Sequence, residues 1–198
     1  FGSRRRMEMA LETDSLDAIG AEIDEMLSSD VPQSLMDKLH MLPKVMRLRD
    51  LAAREVRSGA CQEIVSRDSP SLDDLPIITC WPEDGGPYIT LGLVFTRHPE
   101  TRVRNVGLYR LQKFDDRTLG MHWQRHKGGA EHLRVAESRG QRLEAAIVLG
   151  PDPAVTYAAT APLPEGLDEM MLAGFLRRHP VELVHCTTVD QWVPANAQ

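Results

Sequence analysis

Cysteine is scarce in this sequence: Cys61, Cys80 and Cys186 are the only three in 198 residues. They lie far apart, are odd in number and form no C-x-x-C pair, which argues against a disulfide framework and against a structural zinc site. No apolar run approaches the roughly 20 residues that a membrane-spanning helix needs. Arg4-Arg5-Arg6 are not followed by the apolar stretch of a secretory signal. These absences point to a reducing, cytoplasmic setting without an integral membrane segment. Positive charge is also in deficit, since 23 Lys+Arg against 29 Asp+Glu leave a formal charge of −6. Such a chain is a poor general partner for nucleic acid or an anionic membrane surface. Internal repeats and low-complexity tracts are missing too. What remains is ordinary for a globular protein: 42% hydrophobic and 26% charged residues, on a length that fits one domain with or without an appendage.

The chain divides into two unlike parts. Residues 4–66 read as helical. Ser15 is placed to cap a helix whose Leu16, Ile19, Ile23, Met26 and Leu27 share a face. Pro32 opens a second helical stretch with Leu35, Leu39 and Leu42. Beyond Pro43, the pattern Val45, Leu48, Leu51, Val56 is expected to continue as helix to Gly59. Residues 67–77 form a turn-rich connector. Short strands are then expected at 77–81, 88–96, 104–114, 118–123, 143–149 and 181–186, separated by clusters of Gly, Pro and Asp. The Asp115-Asp116 turn makes a hairpin of two of them. Helices are expected near 130–138 and 167–178, with a short one after Pro153. The fold class is therefore α+β: a split β-barrel with inserted helices, preceded by a helical segment. The boundary is expected near residue 70.

Site-like residues concentrate in 104–129. Asn105 and Arg110 are five apart on one strand, which puts them on opposite faces unless the strand bulges. Its hairpin partner runs His122-Trp123-Gln124-Arg125-His126-Lys127-Gly128-Gly129. A lysine and two glycines before a helix suit a phosphate, because small residues let backbone N–H groups approach and the helix start adds positive potential. His122 and His126 have the spacing of a helical zinc pair, but no Glu follows the first and the context is strand and loop. The other histidines read as surface or packing residues. Asp168 and Glu169 begin a helix, where carboxylates are expected from the macrodipole alone.

Several segments resemble a known family. Pro82-Glu83-Asp84-Gly85-Gly86-Pro87-Tyr88-Ile89-Thr90, Asn105-Val106-Gly107-Leu108-Tyr109-Arg110 and Trp123-Gln124-Arg125-His126-Lys127-Gly128-Gly129-Ala130 are similar to successive motifs of the UbiD-type decarboxylases. Leu149 to Pro153, Pro164 to Glu169, Val181 to Cys186 and Val193-Pro194-Ala195 follow in the same order. Phe1 to Met7 also looks like a family segment. The resemblance implies a flavin-binding split barrel that holds prenylated FMN through its phosphate, with Mn²⁺ and often K⁺ nearby. It assigns Asn105, His126 and Glu169 to the metal. Leu108, Tyr109, Arg110, His122, Trp123, Gln124, Arg125, Lys127 and Gly128 go to the cofactor, and Arg110 is also the catalytic arginine beside the substrate carboxylate. It implies non-oxidative decarboxylation of an aromatic or α,β-unsaturated acid, of which 3-polyprenyl-4-hydroxybenzoate in quinone biosynthesis is one. It also implies a flavin prenyltransferase as cofactor supplier and a homo-oligomer for the full-length protein. The family's proton donor lies downstream of the strand that begins at Val193. The chain is thus expected to be an internal piece of a longer decarboxylase that binds cofactor without turning over. The competing expectation is a non-catalytic flavin-phosphate binding module.

Overall fold

The computed structural model describes residues 2–27, 51–163 and 167–198. The helical lead-in begins with α1 (Arg4–Ala10) and α2 (Leu16–Leu27). Ser15 caps α2 as its position predicts, its Oγ accepting the Ala18 N–H at 3.3 Å. Leu16, Ile19 and Ile23 recur at helical spacing and, with Met7 and Leu11, pack on Ala154, Phe175 and Leu176. The helical pattern expected from Pro32 to Leu48 lies outside the described residues. Its continuation to Gly59 is not helical. Arg54–Val56 form a strand, β1, that runs parallel to a later strand with Arg54 opposite Glu182 and Val56 opposite Val184. Pairing with a distant segment has overridden the local spacing, as tertiary context commonly does. Gly59 does not end a helix: it stands at the N-cap of a single 3-10 turn, Ala60–Gln62, and a Cβ there would stand 2.5–2.7 Å from atoms of Ala195.

The main sheet contains β2 (Tyr88–Arg97), β3 (Arg104–Lys113), β4 (Leu119–Met121) and β5 (Ala145–Val148) in the order β4-β3-β2-β5, all antiparallel. A second sheet has the order β1-β6-β7, with β6 at Glu182–His185 and β7 at Trp192–Pro194. Together with α3 (Gly128–Ser138), α4 (Pro153–Ala158) and α5 (Glu169–Arg177), they make an α+β fold with a curled half-barrel sheet. The strand expected at 77–81 is reduced to one bridge between Ile78 and Tyr88. Pro82 has no N–H to give a ladder, and the Trp81 N–H is taken locally by Asp84 at 3.2 Å.

The middle of β2 is buried on both faces, with Leu93, Val94, Phe95 and Thr96 fully inaccessible. Leu93, Phe95 and Val106 face Val155, Met170, Ala173 and Leu183. Val94, Tyr109 and Leu111 face the other way. The register slips between Ile89 and Gly92, so the irregularity falls on β2 and β3 keeps its alternation. Asp168 joins α5 to the sheet: Oδ1 caps the helix by accepting the Met170 N–H at 2.7 Å, while Oδ2 pairs with Arg104 on β3.

α5 also passes very close to the backbone that precedes β1. A Cβ on Gly174 would collide with the Leu51 carbonyl oxygen, a backbone atom that cannot swing aside. Gly174→Ala is therefore expected to destabilise the chain by about 1–3 kcal/mol despite its better helix propensity. Urea unfolding monitored by circular dichroism measures this directly.

Candidate functional site

β4 pairs with β3 only from Leu111 to Lys113, and the last link is the His122 N–H to the Arg110 carbonyl at 3.3 Å. The chain then leaves the sheet through residues 122–127. Between this turn and β3 lies a cavity of about 310 Å³ lined by Leu108, Tyr109, Arg110, His122, Gln124 and Lys127.

On β3, Asn105, Gly107 and Tyr109 share one face, and Leu108 and Arg110 the other, as a period of two requires. Gly107 is the space into which Tyr109 leans, for a Cβ there would lie 2.5–2.6 Å from the Tyr109 ring. The absent side chain lets the phenol fold back toward Asn105 and the Gly129 N–H. Burial outweighs these contacts and holds the Tyr109 hydroxyl above its ordinary pKa. Tyr109 meets Trp123 edge to face, with ring centroids 6.0 Å apart.

The head of α3 is built for close approach. Asn105 Oδ1 occupies the place of a side chain at Gly128, and the Trp123 indole does the same at Gly129, 3.0–3.2 Å from where a Cβ would be. Lys127 stands at the N-cap with no side-chain cap, so the first N–H groups of α3 are left for another acceptor. Two more donors there lack partners of hydrogen-bond geometry: Asn105 Nδ2 and Trp123 Nε1 are both buried. The Tyr109 phenol lies near enough to Asn105 to affect its own titration without satisfying Nδ2. Buried donors without acceptors are uncommon, and their gathering at a helix start fits a ligand carrying anionic oxygens.

Glu169 opens α5 at the same end of β3. Its carboxyl lies close enough to its own N–H and that of Val106 for both to favour the charged form, yet burial outweighs them and raises its pKa. Asn105 on β3 and Glu169 at the start of α5 offer an amide oxygen and a carboxylate, donor types that suit a hard divalent cation. His126 is exposed in the turn, and its ring makes no hydrogen bond or ion pair among the described residues. Nor do the described residues contain a cluster of three or more His, Cys, Asp or Glu able to hold a metal.

Residues 54–198 match the family profile of the UbiD 3-octaprenyl-4-hydroxybenzoate carboxy-lyase Rift-related domain. The chain belongs to the UbiD family. A curated relative from Aquifex aeolicus is 44% identical over the whole chain, which spans 41% of that protein. Among solved structures, the UbiD-class enzyme HmfF from Pelotomaculum thermopropionicum in complex with FMN matches with a TM-score of 0.77 and 30% identity. All of this chain and 40% of that one are covered. An evolved dimeric form of HmfF in complex with prFMN matches with a TM-score of 0.77, again over the whole chain and 42% of its own. Vanillic acid decarboxylase from Sedimentibacter hydroxybenzoicus, in closed form, matches at 26% identity with a TM-score of 0.79, over all of this chain and 40% of that one. The chain therefore spans about two fifths of the relatives it resembles. No helix among the described residues is long and apolar enough to cross a membrane.

Of the UbiD residues expected from sequence, the cavity gathers Leu108, Tyr109, Arg110, His122, Gln124 and Lys127. Trp123 and Gly128 stand behind it at the head of α3, while Arg125 is exposed and its carbonyl accepts from Arg134 at 2.7 Å. Residues 164–166 of the motif before Glu169 lie outside the described residues. Two contacts carried no expectation. Asp84 and Tyr88 flank Arg110, and both stand in the quoted glycine-rich motif. Thr96 and His132 share a buried 2.9 Å hydrogen bond that ties β2 to the first turns of α3. A single His on a mostly polar helix gave no signal for that bond.

The raised Glu169 has a consequence for stability. A carboxyl whose folded pKa lies above its unfolded one stabilises the fold while protonated, and that contribution is lost as pH rises through the folded value. Metal-free Glu169→Gln should therefore melt above the parent at neutral pH, with the difference vanishing below the ordinary carboxylate range. Thermal melts in chelator across that range check both halves.

Proposed function

We propose that this chain is the cofactor-binding core of a UbiD-type carboxy-lyase. The longer enzyme would release CO₂ from an aromatic or α,β-unsaturated carboxylic acid, with 3-polyprenyl-4-hydroxybenzoate of quinone biosynthesis in the substrate class. The observation that carries the reading is the cavity along β3, which opens beside a helix start with uncapped N–H groups and two orphaned buried donors. That HmfF is solved in complex with FMN and with prFMN supports a flavin as the ligand. The proposed cofactor domain, residues 71–198, takes β1 from the preceding segment as an edge strand of its second sheet.

In this reading Lys127, Gly128 and the first N–H groups of α3 hold the phosphate, with Trp123 Nε1 as a further donor. Asn105, His126 and Glu169 hold Mn²⁺, with K⁺ as a second cation. Asn105 and Glu169 lie at the same end of β3, and His126 would have to approach them from its exposed turn. Leu108, Tyr109, His122, Gln124 and Arg125 contact the rest of the cofactor. When bound, prenylated FMN supplies the electron sink that loss of CO₂ requires. Arg110 supplies what a side chain can: a planar cation that orients a carboxylate through paired N–H groups. Asp84 is unsuited to be the proton donor, because its ion pair with Arg110 holds its pKa below the ordinary range.

Two substitutions test the phosphate and metal assignments separately. Lys127→Ala should weaken FMN binding about tenfold, the worth of a charge-assisted hydrogen bond, as read by flavin fluorescence quenching. Glu169→Gln should leave metal-free FMN binding intact and abolish its enhancement by Mn²⁺. Unchanged Mn²⁺ enhancement would remove Glu169 from the metal site.

A further inference from the structure

Arg110 is held by Asp84 of the loop before β2 and by Tyr88, the first residue of β2, with Cys80 of the same loop also close to the guanidinium. Asp84 takes both guanidinium ends, with Nη1 to Oδ1 at 3.0 Å and Nη2 to Oδ2 at 2.6 Å. The Tyr88 ring lies beneath, 3.9 Å from the guanidinium carbon. Asp84 is itself fixed: its side chain is 11% exposed, and it accepts the Trp81 N–H at 3.2 Å. Arg110 remains 37% exposed beside the cavity.

We propose that Asp84 is a positioning residue that locks Arg110 so that its Nε–H edge faces the cavity, ready for a second carboxylate. The proposal rests on the reading of Arg110 given above and deepens it. The geometry allows two carboxylates at once. A guanidinium has five N–H groups, and an end-on pair with Asp84 consumes two of them. The Nε–H and the neighbouring outer Nη–H lie along a different side of the same plane. Asp84 supplies the only side-chain oxygens that these or the other guanidinium N–H groups meet among the described residues, the Cys80 thiol being the other polar neighbour. Fixing the plane by a fork and a ring face removes the rotamer freedom that a long side chain otherwise loses on binding. The arrangement also makes a specific trade. Asp84 offsets the positive charge of Arg110 and so weakens its long-range pull on an anion, while sharpening its directional preference for a planar carboxylate.

That trade gives the test its sign. Benzoate serves as the probe, and the Arg110 Nε–H resonance of the ¹⁵N-labelled chain is the readout. In the parent this resonance should shift saturably with benzoate. Asp84→Asn removes the fork without changing size and should weaken the titration about fivefold or more, with Asp84→Glu restoring part of the loss. Tyr88→Leu should weaken it less. FMN binding should stay within about twofold in all three, since the phosphate donors are elsewhere. Unchanged or tighter benzoate binding in Asp84→Asn would overturn the proposal, because Asp84 would then act only as an opposing charge. If that variant does not fold, the parent decides alone, since a benzoate titration that leaves Nε–H unmoved also overturns it. Failure of the parent to bind FMN while the benzoate response persists would sink the cofactor reading and leave this one standing.

Discussion

The candidate site exists because β3 is paired along its whole length by β2 but by β4 only at one end. A strand edge without a partner exposes backbone donors and acceptors that must be satisfied somehow. Here the chain peels away after Met121, and the vacated edge is met by other groups instead of another strand. Glu169 lies near the Val106 N–H, the 122–127 turn forms the facing wall, and the head of α3 closes the end. The same departure that costs ladder hydrogen bonds creates the concavity. Alternation along β3 then sorts the side chains, sending Asn105 and Tyr109 toward α3 and Leu108 and Arg110 to the other face.

Much of this was legible in the sequence. The β2–β3–β4 succession, the three later helices and the Ser15 cap follow from period, turn residues and capping chemistry, and the structure carries them. β1 was not legible because three residues, Arg54 to Val56, give no period. Their pairing with β6 spans more than a hundred positions and leaves no local trace. The strand expected at 77–81 failed for the opposite reason. Its composition is strand-like, but Pro82 and the Asp84 turn capture the backbone locally. At the site, motif resemblance picked out the residues that meet across the cavity. It did not supply the partner of Arg110, because an aspartate in a glycine-rich loop reads as turn chemistry until the fold brings it to the strand.

The glycines show how local rules and tertiary demands coincide. Gly107, Gly128 and Gly129 all have ordinary backbone angles, so none is required by its own conformation. Each is required by what lies against it: the Tyr109 ring, the Asn105 amide and the Trp123 indole. The Asn-x-Gly-x-Tyr spacing on β3 is therefore a packing code, with a polar tip, a gap and a ring that fills the gap. The Gly-Gly pair at the start of α3 is its counterpart on the facing element.

Where the fold departs from good satisfaction is informative in the same way. Among the described residues five buried side-chain nitrogens lack partners, and three of them are the Nε atoms of Arg97, Arg104 and Arg177. Arg104 and Arg177 are engaged through Nη by Asp168 and by Asp152, so a lone Nε there is a shortfall in an otherwise occupied fork. Asn105 Nδ2 and Trp123 Nε1 differ, because neither side chain donates to anything else. Both stand at the head of α3, beside N–H groups without a side-chain cap, and burial raises the pKa of Glu169 at the start of α5. Orphan donors and a desolvated acid in one place each cost stability, and a fold that satisfied only itself would have no reason to gather them. A ligand bearing both anionic oxygens and a cation removes all of these costs together. The unpaired donors and the buried acid of this corner therefore belong with the cavity in the argument for a bound ligand.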